Sequence, residues 1–428
     1  MQGLSASPPD QTSPLPLNDG GAGRIVGLDV LRAAAILLVA GGHMLGAFPI
    51  PKDVSIFAKP VWVMMTQLAV AGVDLFYVLS GFLIGGLLLR ELSSTGRIAV
   101  GRFYGRRALR LWPAYFLAVL YAWKWYAWGG HTIDGQPVRP PSLGEMWPFF
   151  LQVQNYYDLH VHEKLNIGAV MQTWTLASLM QFYLLIPLLL LLLASVGGGA
   201  RGGKIRALPW VVAGIFIACF AMRWRAAPAN SRDYDAWRHY FPTHLRLDEP
   251  MAGVLAAYWV IHARPQVDRL MRYWPLILIA SLGALLPVAL RKEEGPRFLI
   301  VWGYTLAGVG CLGLVMVAWW RGQPRADGTV RRAPAPVRWF AQIGVWSYSI
   351  YLWHQPTVQN LAPKIRTRLF TRMDRMHLDP WHSPWQYLIE AILFFTMAVG
   401  FGAVMYYLIE KPFLRLRARV LPGRTAPP

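Results

Sequence analysis

Apolar stretches long enough to cross a bilayer recur along this whole chain of 428 residues. A transmembrane helix needs about 20 predominantly apolar residues. Hydrophobic residues make up 55% of the chain and charged residues only 15%, whereas a soluble domain carries about 25% charge. The stretches lack the alternation of apolar and polar residues that marks a strand. The sequence therefore predicts an all-α, polytopic integral membrane protein with about ten transmembrane helices, at about 25–46, 61–89, 109–128, 170–193, 208–222, 245–262, 274–290, 298–320, 340–360 and 388–409.

The net charge of +20 would suggest nucleic-acid binding in a soluble protein. Here almost all lysines and arginines lie between the apolar stretches, where the positive-inside rule and anionic lipid account for them. No nucleic-acid motif accompanies them, so we expect membrane lipid and no nucleic acid as a partner. Six arginines lie between residues 90 and 110, which favours a cytoplasmic position for both termini.

Three parts of the chain follow from this pattern. Residues 1–23 are rich in Pro, Ser, Gly, Asp and Asn and lack the basic-then-apolar order of a signal peptide, which predicts a disordered cytoplasmic leader. Residues 24–414 form the predicted membrane domain, and residues 415–428 a basic cytoplasmic tail.

The first predicted helix contains three ionisable residues, Asp29, Arg32 and His43. Such residues are costly inside a membrane and usually face a partner or a cavity. Asp29 and Arg32 are three apart and can pair on one helix face. Arg32 and His43 are eleven apart, so they project from nearly the same side with a rise of about 16 Å. A single histidine also occurs as a helix-packing residue, but its alignment with the ion pair favours a functional site.

The second predicted helix contains Asp74, followed by Ser80 and Gly81. Small residues allow close helix approach, and this explains Ser80 and Gly81 without any function. Asp74 requires an arginine, a histidine or several N–H donors nearby.

A third group, Arg106, Arg107 and Arg110, lies at the predicted inner edge of the membrane. Arg107 and Arg110 share a helix face, and guanidinium groups suit phosphates. Topogenic charge explains these arginines equally well, so both interpretations stay open.

Taken in order, short runs from about residue 25 to 414 resemble the acyltransferase 3 family of membrane acyltransferases. The runs that carry the resemblance are Gly27–Arg32 leading to His43, Gly72–Ile84, Arg106–Pro113, Trp174–Leu176 with Gln181–Tyr183, Arg246–Asp248, Ser347–His354 and Glu410–Pro412.

The resemblance implies an enzyme of a bacterial-type inner (cytoplasmic) membrane, in the stand-alone form without a C-terminal hydrolase domain. Such an enzyme moves an acyl group, commonly acetyl, from cytoplasmic acyl-CoA to a hydroxyl of an extracytoplasmic or membrane-linked acceptor, typically a surface glycan sugar. Acetyl-CoA or another acyl-CoA would be the donor substrate, with no permanently bound cofactor. The ten histidines show no HxxxH spacing and no paired carboxylate spacing, so no metal is expected.

The resemblance also assigns roles. Acyl transfer to a hydroxyl needs a base, and histidine suits that near neutral pH. His43 matches the catalytic position, either as a base or as a transient acyl carrier, with Arg32 and Asp29 beside it. Arg106, Arg107 and Arg110 would hold CoA phosphates. The remaining matched positions are candidates for substrate or structural roles: Asp74, Ser80, Gly81, Trp174, Gln181, Tyr183, Arg246, Asp248, His354 and Glu410.

One position departs from the family pattern. Leu179 stands where the family usually has a glutamate two residues before the Gln-Phe-Tyr run. Either that carboxylate is dispensable, or Asp74, Glu249 or Glu390 replaces it, or the activity or substrate differs.

Two other functions compete with an acyltransferase. Intramembrane Asp, Arg and His also mark the relays of a proton- or solute-coupled transporter, but the chain shows no repeated half and no matching pair of broken helices. A catalytically inactive membrane protein is the third possibility, and Leu179 favours it.

Overall fold

The computed structural model describes residues 24–47, 58–128, 132–133, 136–137, 141–157, 168–196, 205–290, 296–324, 333–357, 361–378 and 386–422. The predicted leader, residues 1–23, lies outside the described residues.

Helices make up nearly all of the described chain. They are α1 Val26–Ala47, α2 Ala58–Thr95, α3 Val100–Trp128, α4 Trp147–Phe150, α5 Trp174–Val196, α6 Leu208–Ala226, α7 Ala236–His239, α8 Asp248–His262, α9 Arg264–Met271, α10 Trp274–Ala289, α11 Pro296–Phe298, α12 Tyr304–Arg321, α13 Ala335–Pro356, α14 Ala362–Arg375, α15 Gln386–Met405 and α16 Lys411–Val420. Short 3-10 turns occur at Leu143–Met146, Gly168–Thr173, Ser231–Asp233 and Thr243–Leu245, and π turns at Leu299–Gly303 and Tyr406–Glu410. Two-residue strands, β1 Thr132–Ile133 and β2 Gln136–Pro137, pair antiparallel.

Each of the ten predicted stretches coincides with a helix, which confirms an all-α polytopic membrane protein. Within the described residues, six helical segments are long and apolar enough to cross a membrane: Val26–Met44, Gln67–Thr95, Val170–Val196, Leu208–Ala226, Leu299–Arg321 and Leu388–Val420. The pair α9 and α10, bent by 80°, gives a seventh if it is one span. The number of ten crossings stays a prediction.

Local sequence explains where α2 ends. Gly96 has a φ of 68°, a left-handed conformation that glycine adopts without steric cost. Its N–H donates to the carbonyl oxygen of Leu92 at 2.8 Å, as is usual for the residue that follows a helix. The chain then turns through three residues and enters α3.

Glycines allow two pairs of central helices, α2 with α8 and α1 with α13, to touch backbone to backbone. A Cβ added at Gly81 of α2 would lie 2.6 Å from the carbonyl carbon of Pro250 in α8, and one added at Gly253 of α8 would lie 2.9 Å from the carbonyl carbon of Gly81. A Cβ at Gly344 of α13 would lie 2.8 Å from the carbonyl carbon of Asp29 in α1. These contacts give Gly81 the packing role that small residues have in membrane helices.

The last helical segment is continuous through a π turn. The turn at Tyr406–Glu410 joins α15 to α16, and α16 runs across the predicted domain boundary at residue 414. Such π turns are frequent at functional sites. Here the turn brings the buried Glu410 to the cavity described next.

Candidate functional site

A cavity of about 300 Å³ lies between α1, α2, α3, α5, α13 and the π turn after α15. Seven of the residues predicted from sequence line it, and they come from five separate segments: Asp29, Arg32, Ser80, Arg107, Arg110, Tyr183 and Glu410. The fold therefore gathers distant motifs around one space.

One end of the cavity is strongly charged. Asp29 is only 2% exposed, and it accepts a hydrogen bond from Arg32 Nη1 at 2.7 Å and another from Arg24 Nε. The predicted pair of Asp29 and Arg32 is thus present, and the exposed Arg24 extends it toward the surface.

Two more arginines and a second carboxylate complete that end. Arg107 is buried, with its guanidinium 5.7 Å from the ring centroid of Phe103, and Arg110 lines the cavity beside it. Glu410 accepts a hydrogen bond from the Ser349 hydroxyl at 2.6 Å. The cavity lining therefore contains four arginines against two carboxylates, an arrangement that suits an anion carrying more than one negative charge.

The other end of the cavity is aromatic. Phe76 and Tyr351 line it with their ring centroids 6.3 Å apart. The Tyr351 hydroxyl donates to the carbonyl oxygen of Gln172 and is hydrogen-bonded to the Thr175 hydroxyl. We did not single out Tyr351 from the sequence, although its spacing from Ser347 and His354 places all three near one face of α13.

Beyond Tyr351 two histidines meet. The Nε2 atom of His354 lies 3.4 Å from Nδ1 of His43, and the ring of His354 is 5.8 Å from that of Tyr351. His354 is fully buried and His43 is half-buried. His43 is outside the lining of the cavity that contains Arg32, so Tyr351 and His354 connect the two.

Asp74 and Arg246 belong to a buried ionic cluster next to the cavity. Arg246 binds Asp74, and it donates to both oxygens of Glu249 at 2.8 and 3.0 Å. Its guanidinium lies 4.5 Å from the ring centroid of Tyr240 and 4.8 Å from that of Tyr304. The prediction that Asp74 requires an arginine, a histidine or several N–H donors is met by Arg246, and the cluster joins α2 to α8.

Asp248 pairs with a residue that the sequence analysis missed. Arg223 donates to its two carboxylate oxygens at 3.1 and 2.7 Å and to the Thr305 hydroxyl at 2.9 Å. Both partners are buried. Arginines at the end of an apolar run, as Arg223 and Arg225 are, also fit side chains that extend to the membrane interface, so the sequence does not indicate a buried pair.

Trp174 and Gln181 are placed away from the cavity. Trp174 stacks on Phe241 with centroids 4.5 Å apart. Gln181 donates to Asn155 Oδ1 at 2.9 Å and accepts from the Thr243 hydroxyl. These contacts join α5 to the segment that follows α4 and to the segment that precedes α8.

Arg106 is likewise outside the cavity lining. Its Nη1 donates to the carbonyl oxygen of Leu421, just after α16. Of the three arginines predicted to hold CoA phosphates, two line the cavity and this one joins α3 to the C-terminal helix.

Leu179 lines the cavity, where the family pattern has a glutamate. The three carboxylates considered as replacements lie elsewhere: Asp74 and Glu249 bind Arg246, and Glu390 pairs with Arg366 at 2.6 Å. In the described part of the chain, no group of three or more His, Cys, Asp or Glu side chains could hold a metal ion.

Comparison with known proteins identifies a family and several relatives of this chain. The family profile described as an acyltransferase domain matches residues 25–407. The chain is 26% identical over 402 residues to YrhL of Bacillus subtilis, named provisionally as a peptidoglycan O-acetyltransferase, with 91% of this chain covered. It is 27% identical over 346 residues to the peptidoglycan O-acetyltransferase OatA of Listeria monocytogenes, with 78% of this chain covered. No solved structure gives a significant match.

The chain spans 54% of the length of the first relative and 50% of the second. The profile match covers most of the chain, and it includes each of the ordered motifs up to the π turn. The chain therefore belongs to the acyltransferase 3 family.

Proposed function

We propose that this protein is a membrane O-acyltransferase that moves an acyl group, with acetyl as the simplest case, from acyl-CoA to a hydroxyl of a glycan. The observation that carries the proposal is the cavity, which is rich in arginine at one end and reaches Tyr351 at the other, next to the pair of His43 and His354. The names of the relatives point to peptidoglycan as the glycan.

The donor enters at the charged end. Arg107 and Arg110 bind the CoA phosphates as planar, permanently charged donors, and the pair of Arg32 and Asp29 lines the same cavity. The rise of about 16 Å along a helix from Arg32 to His43 suits the thin pantetheine arm. The thioester then lies near the aromatic end.

The acceptor is activated at His43. In the direct route its ring takes the proton from the acceptor hydroxyl while the oxygen attacks the thioester carbonyl carbon. The carbon–sulfur bond breaks, and the proton passes to the departing CoA sulfur. In the alternative route the His43 ring nitrogen attacks the thioester carbonyl carbon, the carbon–sulfur bond breaks, and CoA leaves as the free thiol with the ring proton. The acceptor oxygen then takes the acyl group from the ring, the carbon–nitrogen bond breaks, and the hydroxyl proton returns to the ring. Both routes require a basic ring nitrogen at this position.

The charged end faces the cytoplasm in this proposal, in a bacterial-type inner membrane with both termini inside. The excess of arginines around α2, α3 and α16 supports that orientation. Acyl-CoA then binds from the cytoplasm, where it is made, and the acceptor binds from the opposite side of the membrane. A reporter fused after Gly96 tests the orientation, because an external signal there would reverse it.

Transport of a proton or solute is the second candidate. The 80° bend between α9 and α10 favours it, since transporters use broken helices, although they use them in matching pairs.

Incubation of purified protein in proteoliposomes with radiolabelled acetyl-CoA and a peptidoglycan fragment distinguishes an acyltransferase from a transporter. An acyltransferase transfers label to the glycan and releases CoA. If the wild-type protein consumes no acyl-CoA but moves a solute across the vesicle membrane, the acyltransferase proposal is refuted and the transporter function takes its place. The matched control is the Arg107→Gln, Arg110→Gln double variant, which keeps the rest of the cavity and should bind donor poorly.

A further inference from the structure

Hydrogen bonding around His354 fixes which of its ring nitrogens carries a proton. The Nδ1 atom lies 2.8 Å from the carbonyl oxygen of Tyr351. A carbonyl oxygen only accepts, so Nδ1 must be the donor. In a neutral imidazole the second nitrogen, Nε2, is then a bare acceptor.

Burial favours the neutral ring. His354 has no exposed surface, and among the described residues neither histidine has a salt-bridge partner. A charged imidazole without an acidic partner is costly in such a place, whereas a neutral one that makes its hydrogen bonds is not.

The same reasoning passes from His354 to His43. The Nε2 atom of His354 lies 3.4 Å from Nδ1 of His43. Because the first atom accepts, the second must donate, and the proton of His43 is held on Nδ1. Its Nε2 then keeps a lone pair, in contrast to free neutral histidine, which favours the Nε2–H form.

We infer that His354 is a positioning residue that sets the tautomer of His43, so that Nε2 of His43 is the basic atom of the reaction. This inference rests on the proposed function, in which His43 acts on the acceptor hydroxyl or carries the acyl group. The chain of donors runs from the half-buried His43 ring through the buried His354 ring to a backbone carbonyl, which cannot change its role. A group bonded in this way holds its partner's orientation as well as its protonation site.

The backbone around the pair is held firmly enough for this purpose. Gly344 brings α13 against α1 at Asp29, near the charged end. Close to the histidines, Met44 of α1 is buried in one cluster with Phe394 and Ala398 of α15. Helix α1 is therefore held by α13 at the charged end and by α15 next to His43.

Two substitutions at residue 354 test whether His354 positions the His43 ring or only packs against it. His354→Leu keeps a side chain of similar size but removes the acceptor, and His354→Gln offers its amide oxygen where Nε2 stood. We expect kcat to fall by about 10- to 100-fold in the leucine variant, which is the loss typical of groups that orient a metal-ligating histidine, with KM for acyl-CoA unchanged. The glutamine variant should retain most of the wild-type kcat. His377→Gln, at an exposed position after α14, is the matched control and should behave as wild type.

Nitrogen NMR of ring-labelled histidine in nanodiscs reads the tautomer directly and needs no turnover. In the wild type, His43 should show a protonated Nδ1 and a bare Nε2, and in His354→Leu it should shift toward the Nε2–H form. A wild-type His43 protonated on Nε2 would overturn the inference, as would a leucine variant with wild-type kcat. Absence of acyl transfer by the wild type would refute the proposed function instead, because the tautomer measurement stands whether or not the protein turns over. If the leucine variant fails to insert, the wild-type spectrum alone decides.

Discussion

Replacement of Arg246 by methionine should destabilise the protein far more than the loss of an exposed arginine. Arg246 is 1% exposed, and its removal leaves the carboxylates of Asp74 and Glu249, which are 0% and 2% exposed, without their cation. Breaking a buried ion pair by removing one partner costs about 3–5 kcal/mol. An unfolding entropy of about 2.1 cal/mol/K per residue gives about 0.9 kcal/mol/K for 428 residues. The expected fall in Tm is therefore about 3–6 °C.

A thiol-reactive fluorescent dye measures that shift in detergent, because Cys219 and Cys311 are both free and buried and react only as the protein opens. Arg238→Met is the matched control: its ion pair with Asp235 is 3.6 Å long and largely exposed, so its Tm should change by no more than about 1 °C.

Neutralising the stranded carboxylates tests the cause. Adding Asp74→Asn and Glu249→Gln to Arg246→Met should recover part of the lost Tm, since a buried ionic cluster can be replaced by neutral groups more easily than it can be broken. If Arg246→Met shifts Tm no more than Arg238→Met, or if the triple variant is no more stable than the single one, the reasoning is refuted.

The remaining predictions concern helix packing and donor binding. Gly81→Ala should lower Tm, because the added Cβ would overlap the Pro250 carbonyl group of α8. Gly101→Ala is the control: an added Cβ there would have nothing within 4 Å, so Tm should stay unchanged or rise. Equal changes in Tm for the two variants would contradict the close approach of α2 and α8. Arg107→Lys and Arg110→Lys should each weaken acyl-CoA binding by roughly tenfold or more, because lysine keeps the charge but cannot make the two parallel hydrogen bonds of a guanidinium. Equilibrium binding of a labelled acyl-CoA analogue measures this. Wild-type affinity in both variants would leave these arginines a topogenic role only.

The helices and the first ion pair could be predicted from the sequence because their causes are local. Apolar stretches of bilayer length specify helices without reference to their neighbours, and the spacing of Asp29 and Arg32 already places them on one face. Their pairing at 2.7 Å confirms that expectation. The apolar stretch around Asp74 also predicted a partner for it, either an arginine, a histidine or several N–H donors.

Identifying the partners was beyond sequence reasoning, because partners come from distant helices. Asp74 meets Arg246 across 172 positions of sequence, and His43 meets His354 across 311. No periodicity within one helix encodes such a contact. Arg223 was missed for the same reason, since its partner Asp248 belongs to a different helix.

Some residues that were grouped in the sequence analysis have different positions relative to the cavity in the folded protein. Arg106 and Arg107 are adjacent in sequence, yet only Arg107 lines the cavity, because successive residues of a helix point about 100° apart. Arg32 and His43 lie on the same helix, and α13 contributes Tyr351 and His354 between the cavity and His43. The family pattern supplied both arginine and histidine positions, but only the assembled helices show how the cavity is related to the histidines.

Acyl transfer by a His43→Gln variant tests the central claim most directly. Glutamine keeps a similar size and hydrogen-bonding groups but has no basic nitrogen, and loss of a general base costs about 10²–10⁴-fold in rate. The measurement is label transfer from radiolabelled acetyl-CoA to a peptidoglycan fragment in proteoliposomes, with donor binding measured on the same preparation. We predict that transfer falls by at least about 100-fold while donor binding at Arg107 and Arg110 is unchanged. Transfer at near wild-type rate by the His43→Gln protein would contradict the proposed role of His43.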